Sequence, residues 1–264
     1  MRRAEAPGTV QRPPRPSGVR DVFRYNWPLY AAGCLAAGTG WVVARCLPGP
    51  AAVAARAGAS AAVALLVSST AASWWVYDRS GLHSFDWLDD LLPGGPGAHV
   101  VVSAGLDEAS RPLAARRLDA AQRVVDLYDP VLMTEGSIRR ARRRVPPVAG
   151  TVAGLPDRLP VASTTADTVF AVFAAHELRR AADREALFAE CVRVLRPGGR
   201  LVLVEHLRDV ANTAVYGPGA WHFLPRREWL RLAAGAGLRT VGELRIGGLV
   251  TAFALARGEV ADGG

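Results

Sequence analysis

The chain has 264 residues, a formal net charge of +8 at pH 7 and 50% hydrophobic residues. That length accommodates one α/β domain of ordinary size together with a further segment. The three cysteines are odd in number and lack the spacing of metal ligands, so they predict neither a disulfide framework nor a metal site.

The positive charge is concentrated near the start of the chain. All basic residues are arginine, and residues 1–56 contain eight of them against Glu5 and Asp21. Prolines and glycines are mixed with these arginines at the beginning of the segment, where too few apolar side chains are available to build a core. We therefore predict a basic, disordered tail over residues 1–26.

Two apolar segments follow this tail. Residues 29–43 are apolar or small, a Pro-Gly-Pro sequence at 48–50 forces a turn, and residues 57–77 carry no charge. Because crossing the hydrocarbon core takes about 20 such residues, we predict a hairpin of two transmembrane helices over residues 27–77. A signal peptide and a pair of buried helices in a soluble protein are the alternatives.

The distribution of charge sets the predicted orientation of this hairpin. Six arginines lie within residues 1–24, whereas only Arg45 and Arg56 flank the turn, so the positive-inside rule places the N-terminus inside the cell. Two spans return the rest of the chain to the same side. We therefore predict a multi-pass protein of the cell membrane, with the lipid bilayer as a partner and the C-terminal domain facing the cytoplasm.

A linker or cap is predicted over residues 78–97. It mixes aromatic with acidic residues, which suits the bilayer surface or a cover over a functional site, and a Pro/Gly-rich stretch at 93–97 closes it. Beyond it, Val100 to Val102 predict a buried strand. Arg123 to Tyr128 predict a second strand, which is followed by Asp129 and a proline.

The most informative stretch of the chain runs from residue 159 to 207. It begins with Leu-Pro, and Asp167 then precedes an apolar run at 169–174, which predicts a strand buried on both faces, as in a parallel sheet. A predicted helix ends in Val-Leu-Arg-Pro-Gly-Gly at 194–199, and a further apolar strand follows. Proline stops the helix, and glycine supplies the positive φ that the turn requires.

This order of motifs resembles the later half of a class I S-adenosylmethionine-dependent methyltransferase domain of the methyltransferase type 11 kind. The resemblance covers residues 98–257, including closing strands near 240–243 and 249–256. It implies an α/β fold with a Rossmann-like, doubly wound, seven-stranded sheet, preceded by the two predicted transmembrane helices, and S-adenosylmethionine as the cofactor. A short disordered tail is predicted over residues 258–264.

The resemblance also implies where the cofactor is held. Gly105 matches the first loop glycine of the family, and Asp107, at the next glycine position, is a further cofactor-binding candidate. An acid at the tip of the second strand, about 20 residues on, can accept hydrogen bonds from both ribose hydroxyls. Asp129 is favoured for this role and Asp126 is its rival. Asp157 is the candidate for contact with the adenine.

Methyl transfer from a sulfonium requires an aligned acceptor and the exclusion of water, and a base helps when the acceptor is a hydroxyl. The carboxyl ends of the fourth and fifth strands face the crevice in this fold. His176 and His206 fall at these ends and are the candidate catalytic bases; ordinary strand-end hydrogen bonding is the alternative role. Tyr216, Trp221 and Phe223 are expected to line an apolar acceptor pocket.

The sequence therefore predicts a methyltransferase that acts at the membrane on a hydrophobic small-molecule or lipid acceptor. A catalytically inactive, membrane-tethered binding or scaffold protein is the first alternative, because the glycine loop is degenerate. A nucleic-acid methyltransferase is the second, suggested by the arginine cluster at 139–144, although basic segments beside apolar spans favour lipid over nucleic acid. A nicotinamide dehydrogenase is disfavoured, since the sequence has no complete G-x-G-x-x-G at the loop. The sequence does not indicate which oligomeric state the protein adopts.

Overall fold

A computed structural model describes residues 18–116 and 122–257 of the protein. Residues 1–17 and 258–264, which hold most of the predicted N-terminal tail and the predicted C-terminal tail, lie outside the described part. The helices are α1 (Val19–Cys46), α2 (Gly49–Trp74), α3 (Trp87–Leu91), α4 (Ser110–Ala115), α5 (Gly136–Arg144), α6 (Ala181–Val194), α7 (Val210–Tyr216) and α8 (Arg226–Gly235). The strands are β1 (His99–Ser103), β2 (Gln122–Asp126), β3 (Val152–Ala153), β4 (Ala166–Val172), β5 (Leu195–His206), β6 (Leu238–Ile246) and β7 (Val250–Arg257).

The strands form one seven-stranded sheet in the order β3-β2-β1-β4-β5-β7-β6. The first five strands pair in parallel, and β7 runs antiparallel to both β5 and β6. The chain thus winds from β1 to one edge and from β4 to the other, which is the doubly wound arrangement of Rossmann-like folds. The predicted fold class is confirmed for this sheet.

The central strands are buried on both faces of the sheet. In β1, Val100 and Val102 pack into the cluster formed with α6 and α8, while Val101 packs into the cluster on the opposite face. This double burial explains why the sequence of each central strand is continuously apolar and does not alternate between apolar and polar residues.

The Pro-Gly-Gly sequence lies at the start of β5 and shapes a tight turn. Gly198 has a φ of +76°, and a Cβ on Gly199 would lie 2.9 Å from the carbonyl oxygen of Arg196. Both positions therefore require glycine. The carboxylate of Asp167 in β4 accepts hydrogen bonds from the backbone of Ala98 and from the Arg196 side chain, which ties this turn to the sheet.

The segment predicted as a linker or cap contributes to the hydrophobic core. It includes the end of a π-helical turn (Trp75–Arg79), a 3₁₀ turn at Leu82–Ser84 and α3. Leu82 and Phe85 are almost fully buried against the face of the sheet opposite α6. The packed domain therefore includes residues N-terminal to position 98.

Helices α1 and α2 pack against each other as an antiparallel hairpin through small residues. A Cβ on Gly33 would lie 2.9 Å from the Leu66 side chain, and one on Gly40 would lie 3.1 Å from Ala59. Glycine and alanine at such positions let two helix backbones approach closely, as helices in membranes commonly do.

The base of the hairpin is attached to the sheet domain by hydrogen bonds. The Ser68 hydroxyl in α2 donates to the carbonyl of Val215 in α7 at 2.9 Å. The Arg140 guanidinium in α5 donates to the carbonyl of Tyr25 in α1 at 2.6 Å. The hairpin and the sheet domain are therefore packed together at this end.

Within the described part of the chain, one helical segment is long and apolar enough to cross a membrane. It covers Gly49–Ser84, with a mean hydropathy of 1.7 in its most apolar window and 11% of that window buried. Helix α1 does not qualify, because glycine, proline, threonine and tryptophan among its aliphatic residues lower its mean hydropathy. The prediction of two transmembrane helices is thus corrected to one candidate. Helix α1 also begins at Val19, inside the segment predicted as a tail.

The outer surface of the hairpin is apolar and exposed. Leu29 and Leu35 in α1 are each 71% exposed, and Val53 and Val67 in α2 are 64% and 63% exposed. Aliphatic side chains so exposed along two adjacent helices are typical of a surface that contacts a membrane or a partner.

We expect the double substitution Leu35→Asp and Val53→Asp to reduce the fraction of protein that floats with phospholipid vesicles in a density gradient. A carboxylate in a bilayer costs about 3 kcal/mol at the helix centre. The matched control is Val241→Asp with Leu155→Asp, two half-exposed aliphatic residues of the sheet domain. Equal flotation of both double variants and the wild type would show that the hairpin surface does not contact lipid.

Candidate active site

A cavity of about 260 Å³ opens at the carboxyl edge of the sheet. One wall is the loop after β1, with Leu106. A second is formed at the ends of β4 and β5 by Phe173 and His206, and the third is the base of the hairpin, with Tyr25 and Tyr77. Ligands bind at this edge in doubly wound sheets, so the cavity lies where the fold predicts a site.

His206, the last residue of β5, is surrounded by aromatic rings. Phe173 and Phe223 stack on its imidazole with centroid distances of 5.3 and 4.9 Å, and Tyr216 meets it edge-on at 5.6 Å. Phe173 has a φ of +51°, a strained conformation for a residue other than glycine. The packing around the cavity holds it in this conformation, which places its ring on the cavity wall.

The hydrogen bonds of His206 determine its tautomer. Its Nδ1 lies 3.1 Å from the carbonyl oxygen of Leu249, which can only accept, so Nδ1 carries the proton. Nε2 therefore presents a lone pair, and the Tyr77 hydroxyl donates to it at 3.4 Å. Burial lowers the pKa of His206 to about 4, so the imidazole is neutral at neutral pH.

His176 has the opposite charge state. Its Nδ1 lies 2.7 Å from the carboxylate of Glu205, which is 1% exposed, and its Nε2 lies 3.1 Å from Glu177. Burial alone would lower the pKa of His176, but the two carboxylates outweigh burial and raise it to about 10. A protonated imidazole cannot accept a proton, so His206 is the better placed of the two candidate bases.

A charged cluster lies beyond His176. The Nη2 atom of Arg179 lies 2.6 Å from Nε2 of His222 and 3.3 Å from Glu177, and it also pairs with Glu135. The rings of His176 and His222 meet edge-on at 5.8 Å. Sequence reasoning did not group these residues, because they come from three segments that are far apart in the chain.

The loop after β1 and the end of β2 form the second part of the site. Gly105 has a φ of +96°, and its N–H donates to the Asp126 carboxylate at 3.0 Å. The pairing of β2 with β1 stops at Ser103 and Asp126, so the strand ends two residues before the predicted end at Tyr128. The buried acid at the end of β2 is therefore Asp126, and Asp129 lies three residues beyond it. Both remain candidates for the ribose acid.

Helix α5 covers this loop. Arg142 forms an ion pair with Asp126, and its guanidinium lies 4.4 Å from the ring centre of Tyr128. A Cβ on Gly105 would lie 2.6 Å from Ile138 of α5. The space left between the loop and α5 is about 10 Å³. A ligand that bound over Gly105 would therefore compete with α5 for the same place.

Two of the other acidic candidates have local structural roles. Asp107 accepts a hydrogen bond from the backbone of Ser110 at 2.9 Å and so caps α4. Asp129 accepts from the backbone of Val131 at 2.7 Å and closes a turn. Asp157 is exposed in the turn after β3. Of the four acids, Asp126 is the one that bonds to the backbone of Gly105.

The aromatic candidates divide between the cavity and the surface. Tyr216 and Phe223 line the cavity, as expected, whereas Trp221 is 72% exposed and lies outside the cavity lining. Tyr25 and Tyr77 also line the cavity. Nothing in their sequence context distinguishes these two tyrosines from aromatic residues at a membrane interface.

Comparison with known proteins agrees with this architecture. Residues 102–203 match the family model described as a methyltransferase domain. A SAM-dependent methyltransferase from Aquifex aeolicus is 17% identical and has a TM-score of 0.50, over 72% of this chain and 98% of its own. The pyocyanin biosynthetic protein PhzM is 17% identical with a TM-score of 0.53, over 90% of this chain and 73% of its own. No curated protein sequence matches the chain.

Residues 102–203 match a methyltransferase domain, which indicates S-adenosylmethionine as the cofactor, and the similarity to the Aquifex aeolicus structure shows a shared fold. The donor set fits the ribose of this molecule, because Asp126 is a buried carboxylate at the tip of β2 and Gly105 has no side chain beside it. The ribose hydroxyls would replace the guanidinium of Arg142 on Asp126.

We expect Asp126→Asn to weaken S-adenosylmethionine binding at least tenfold in calorimetric titration of the detergent-solubilised protein. The amide keeps the shape of the side chain but offers one acceptor oxygen where the carboxylate offers two. Asp129→Asn is the matched control and is expected to bind normally. Loss of binding in the Asp129 variant alone would identify Asp129 as the ribose acid, and thermal unfolding checks that both variants are folded.

Proposed function

We propose that the protein transfers a methyl group from S-adenosylmethionine to a hydrophobic acceptor that enters from the membrane. The observation that supports this proposal most directly is the composition of the cavity wall. Val22 and Tyr25 of α1 and Ser73 of α2 line the same cavity as His176 and His206. The apolar hairpin and the catalytic edge of the sheet therefore enclose one space.

An apolar groove on the hairpin offers a path for a hydrophobic chain. It has a volume of about 550 Å³ and is lined by Val19, Leu66, Val67 and Trp74, among others. Val19 of the groove and Val22 of the cavity lie three residues apart on α1, so their side chains are neighbours on one face of the helix. An acceptor with a polar head and an apolar tail could thus place the head in the cavity and the tail along the hairpin. A quinone, an isoprenoid, a lipid or a pigment-like phenol has this form.

The residues of the cavity suit the methylation of a hydroxyl. S-adenosylmethionine, when bound, supplies a methyl group that its sulfonium already activates. The protein has to orient the acceptor, exclude water and receive a proton. The aromatic rings of Phe173, Tyr216 and Phe223 give the cavity an apolar wall. Nε2 of His206, with its lone pair, can accept a hydrogen bond from the acceptor hydroxyl in place of the bond from Tyr77.

A binding or scaffold protein without catalysis is the second candidate. It is favoured by the ion pair of Arg142 with Asp126, which occupies the carboxylate expected to hold the ribose. The nucleic-acid alternative is disfavoured at two of the five arginines of the cluster, because Arg140 and Arg142 are engaged with Tyr25 and Asp126.

The requirement for a membrane acceptor is tested by shortening the hairpin. Replacing residues 37–62 with a Gly-Ser turn removes the distal part and keeps the cavity lining, since these positions face each other across the hairpin. With methyl-labelled S-adenosylmethionine and vesicles, we expect turnover of a long-chain alkyl phenol to fall at least tenfold. Turnover of the corresponding short-chain phenol should stay within about twofold.

Equal activity of the shortened and intact proteins on the long-chain phenol would contradict entry from the membrane. If the intact protein binds S-adenosylmethionine but methylates neither phenol nor a total lipid extract in vesicles, the scaffold function is favoured instead.

We expect His206→Phe to reduce kcat about 100-fold, the usual contribution of a positioned acid or base, with little change in cofactor affinity. Phenylalanine preserves the stacking between Phe173 and Phe223 but removes Nε2. Because the pKa of His206 is about 4, the wild-type rate should show no inflection from this residue between pH 6 and 8. A wild-type kcat in the variant would exclude a role for His206 in proton acceptance.

A further inference from the structure

Four side chains with metal-binding atoms converge beside the cavity, although the sequence predicts no metal site. His176 and Glu177 come from the 3₁₀ turn after β4, and His222 comes from the turn before α8. One ligand atom from each of these residues lies within 4.8 Å of the others. Glu135, directly before α5, places Oε2 3.7 Å from Nε2 of His222. Three separate segments of the fold thus bring acceptor atoms to one point.

A cation already occupies this point, in the form of a side chain. The Nη2 atom of Arg179 contacts Nε2 of His222 at 2.6 Å, Oε2 of Glu177 at 3.3 Å and a carboxylate oxygen of Glu135. Guanidinium nitrogens only donate, so Nε2 of His222 must present a lone pair. Arg179 is 39% exposed, and its side chain can move into solvent without leaving a buried charge. The carboxylates of Glu135, Glu177 and Glu205 would then outnumber the one remaining cation, the protonated ring of His176.

His176 is oriented as a metal-binding histidine is. Its Nδ1 is hydrogen-bonded to the buried carboxylate of Glu205 at 2.7 Å, and its Nε2 points to Glu177 at 3.1 Å. Metal-ligating histidines commonly donate the proton of the other ring nitrogen to a carboxylate in this way, which fixes the ring and increases the basicity of the ligand atom. Glu205 performs that function at the end of β5.

We propose that His176, Glu177 and His222 bind a divalent transition metal ion, with Glu135 as a further ligand, and that Arg179 vacates the site when the ion binds. Two imidazoles and a carboxylate are the donor set of many zinc and ferrous sites. Binding releases the proton from Nε2 of His176, since only the neutral ring coordinates a metal. The metal and Arg179 are thus alternative occupants of one site.

The position of the site indicates what the ion would do. His176 and Glu177 line the cavity, so an ion held by them would border the space for the acceptor. It could polarise an acceptor oxygen as a Lewis acid. This role depends on the proposed methyl transfer, whereas metal binding itself does not.

The test is titration of the chelator-treated full-length protein with Zn²⁺ by calorimetry and with Co²⁺ by visible absorption. We expect one ion per protein, binding at least tenfold weaker in His222→Ala and in Glu177→Gln, and a tenfold loss in Glu205→Gln through misorientation of His176. Arg179→Ala should bind at least as tightly as the wild type, because the competing cation is gone. The matched control is His83→Ala. This change breaks another His–Glu pair, in which Nε2 of His83 lies 3.1 Å from Glu108, and the variant should bind the metal ion as the wild type does.

The opposite results would overturn the proposal. Absence of stoichiometric binding, equal binding in the His222, Glu177 and wild-type proteins, or weaker binding in Arg179→Ala would show that the cluster is an ion-pair network only. Methyl transfer is measured separately with and without the ion. If the protein binds the ion but transfers no methyl group, the result would contradict the proposed function but not the proposed metal site.

Discussion

The end of β5 is the constraint on which the site depends. This strand lies between β4 and β7, and its apolar run finishes with Glu205 and His206, two polar residues that are almost fully buried. Because side chains alternate along a strand, the two residues face opposite sides of the sheet. Glu205 holds His176 on one side, while His206 meets the aromatic rings and the hairpin on the other. The end of β5 therefore sets the positions of both the charged His176 and the neutral His206.

The cavity is a property of the hairpin and the sheet domain together. Tyr25, Ser73 and Tyr77 would be ordinary helix residues in isolation, but the packing of α1 and α2 on the domain makes them a wall of the cavity. Helix α5 links the two parts, since Arg140 bonds to α1 and Arg142 pairs with Asp126. A change in the position of the hairpin would therefore move α5 and alter the ion pair of Asp126, the carboxylate expected to hold the ribose.

The sequence was sufficient to predict the sheet but not the details of the site. Buried strands and a helix stop at Pro-Gly-Gly are local signals that predict a β-α-β unit, whereas the doubly wound, seven-stranded order was implied by the resemblance to methyltransferases. Which of Asp126 and Asp129 lies at the end of the strand depends on where the pairing with β1 stops, which is a tertiary property. The charge of His176 depends on Glu205, far along the chain. The length of α1 was underestimated, because its polar first turns are stabilised by contacts with the domain.

The central claim is that the cofactor and an acceptor meet in the cavity shared by the hairpin and the sheet. The most direct measurement is a structure of the full-length protein in lipid nanodiscs with S-adenosylhomocysteine. We predict that the ribose of the ligand is bound to Asp126, that Arg142 has left this carboxylate, and that the sulfur faces the cavity beside His206. A ligand bound elsewhere, or an intact Arg142–Asp126 pair at saturating ligand, would contradict it.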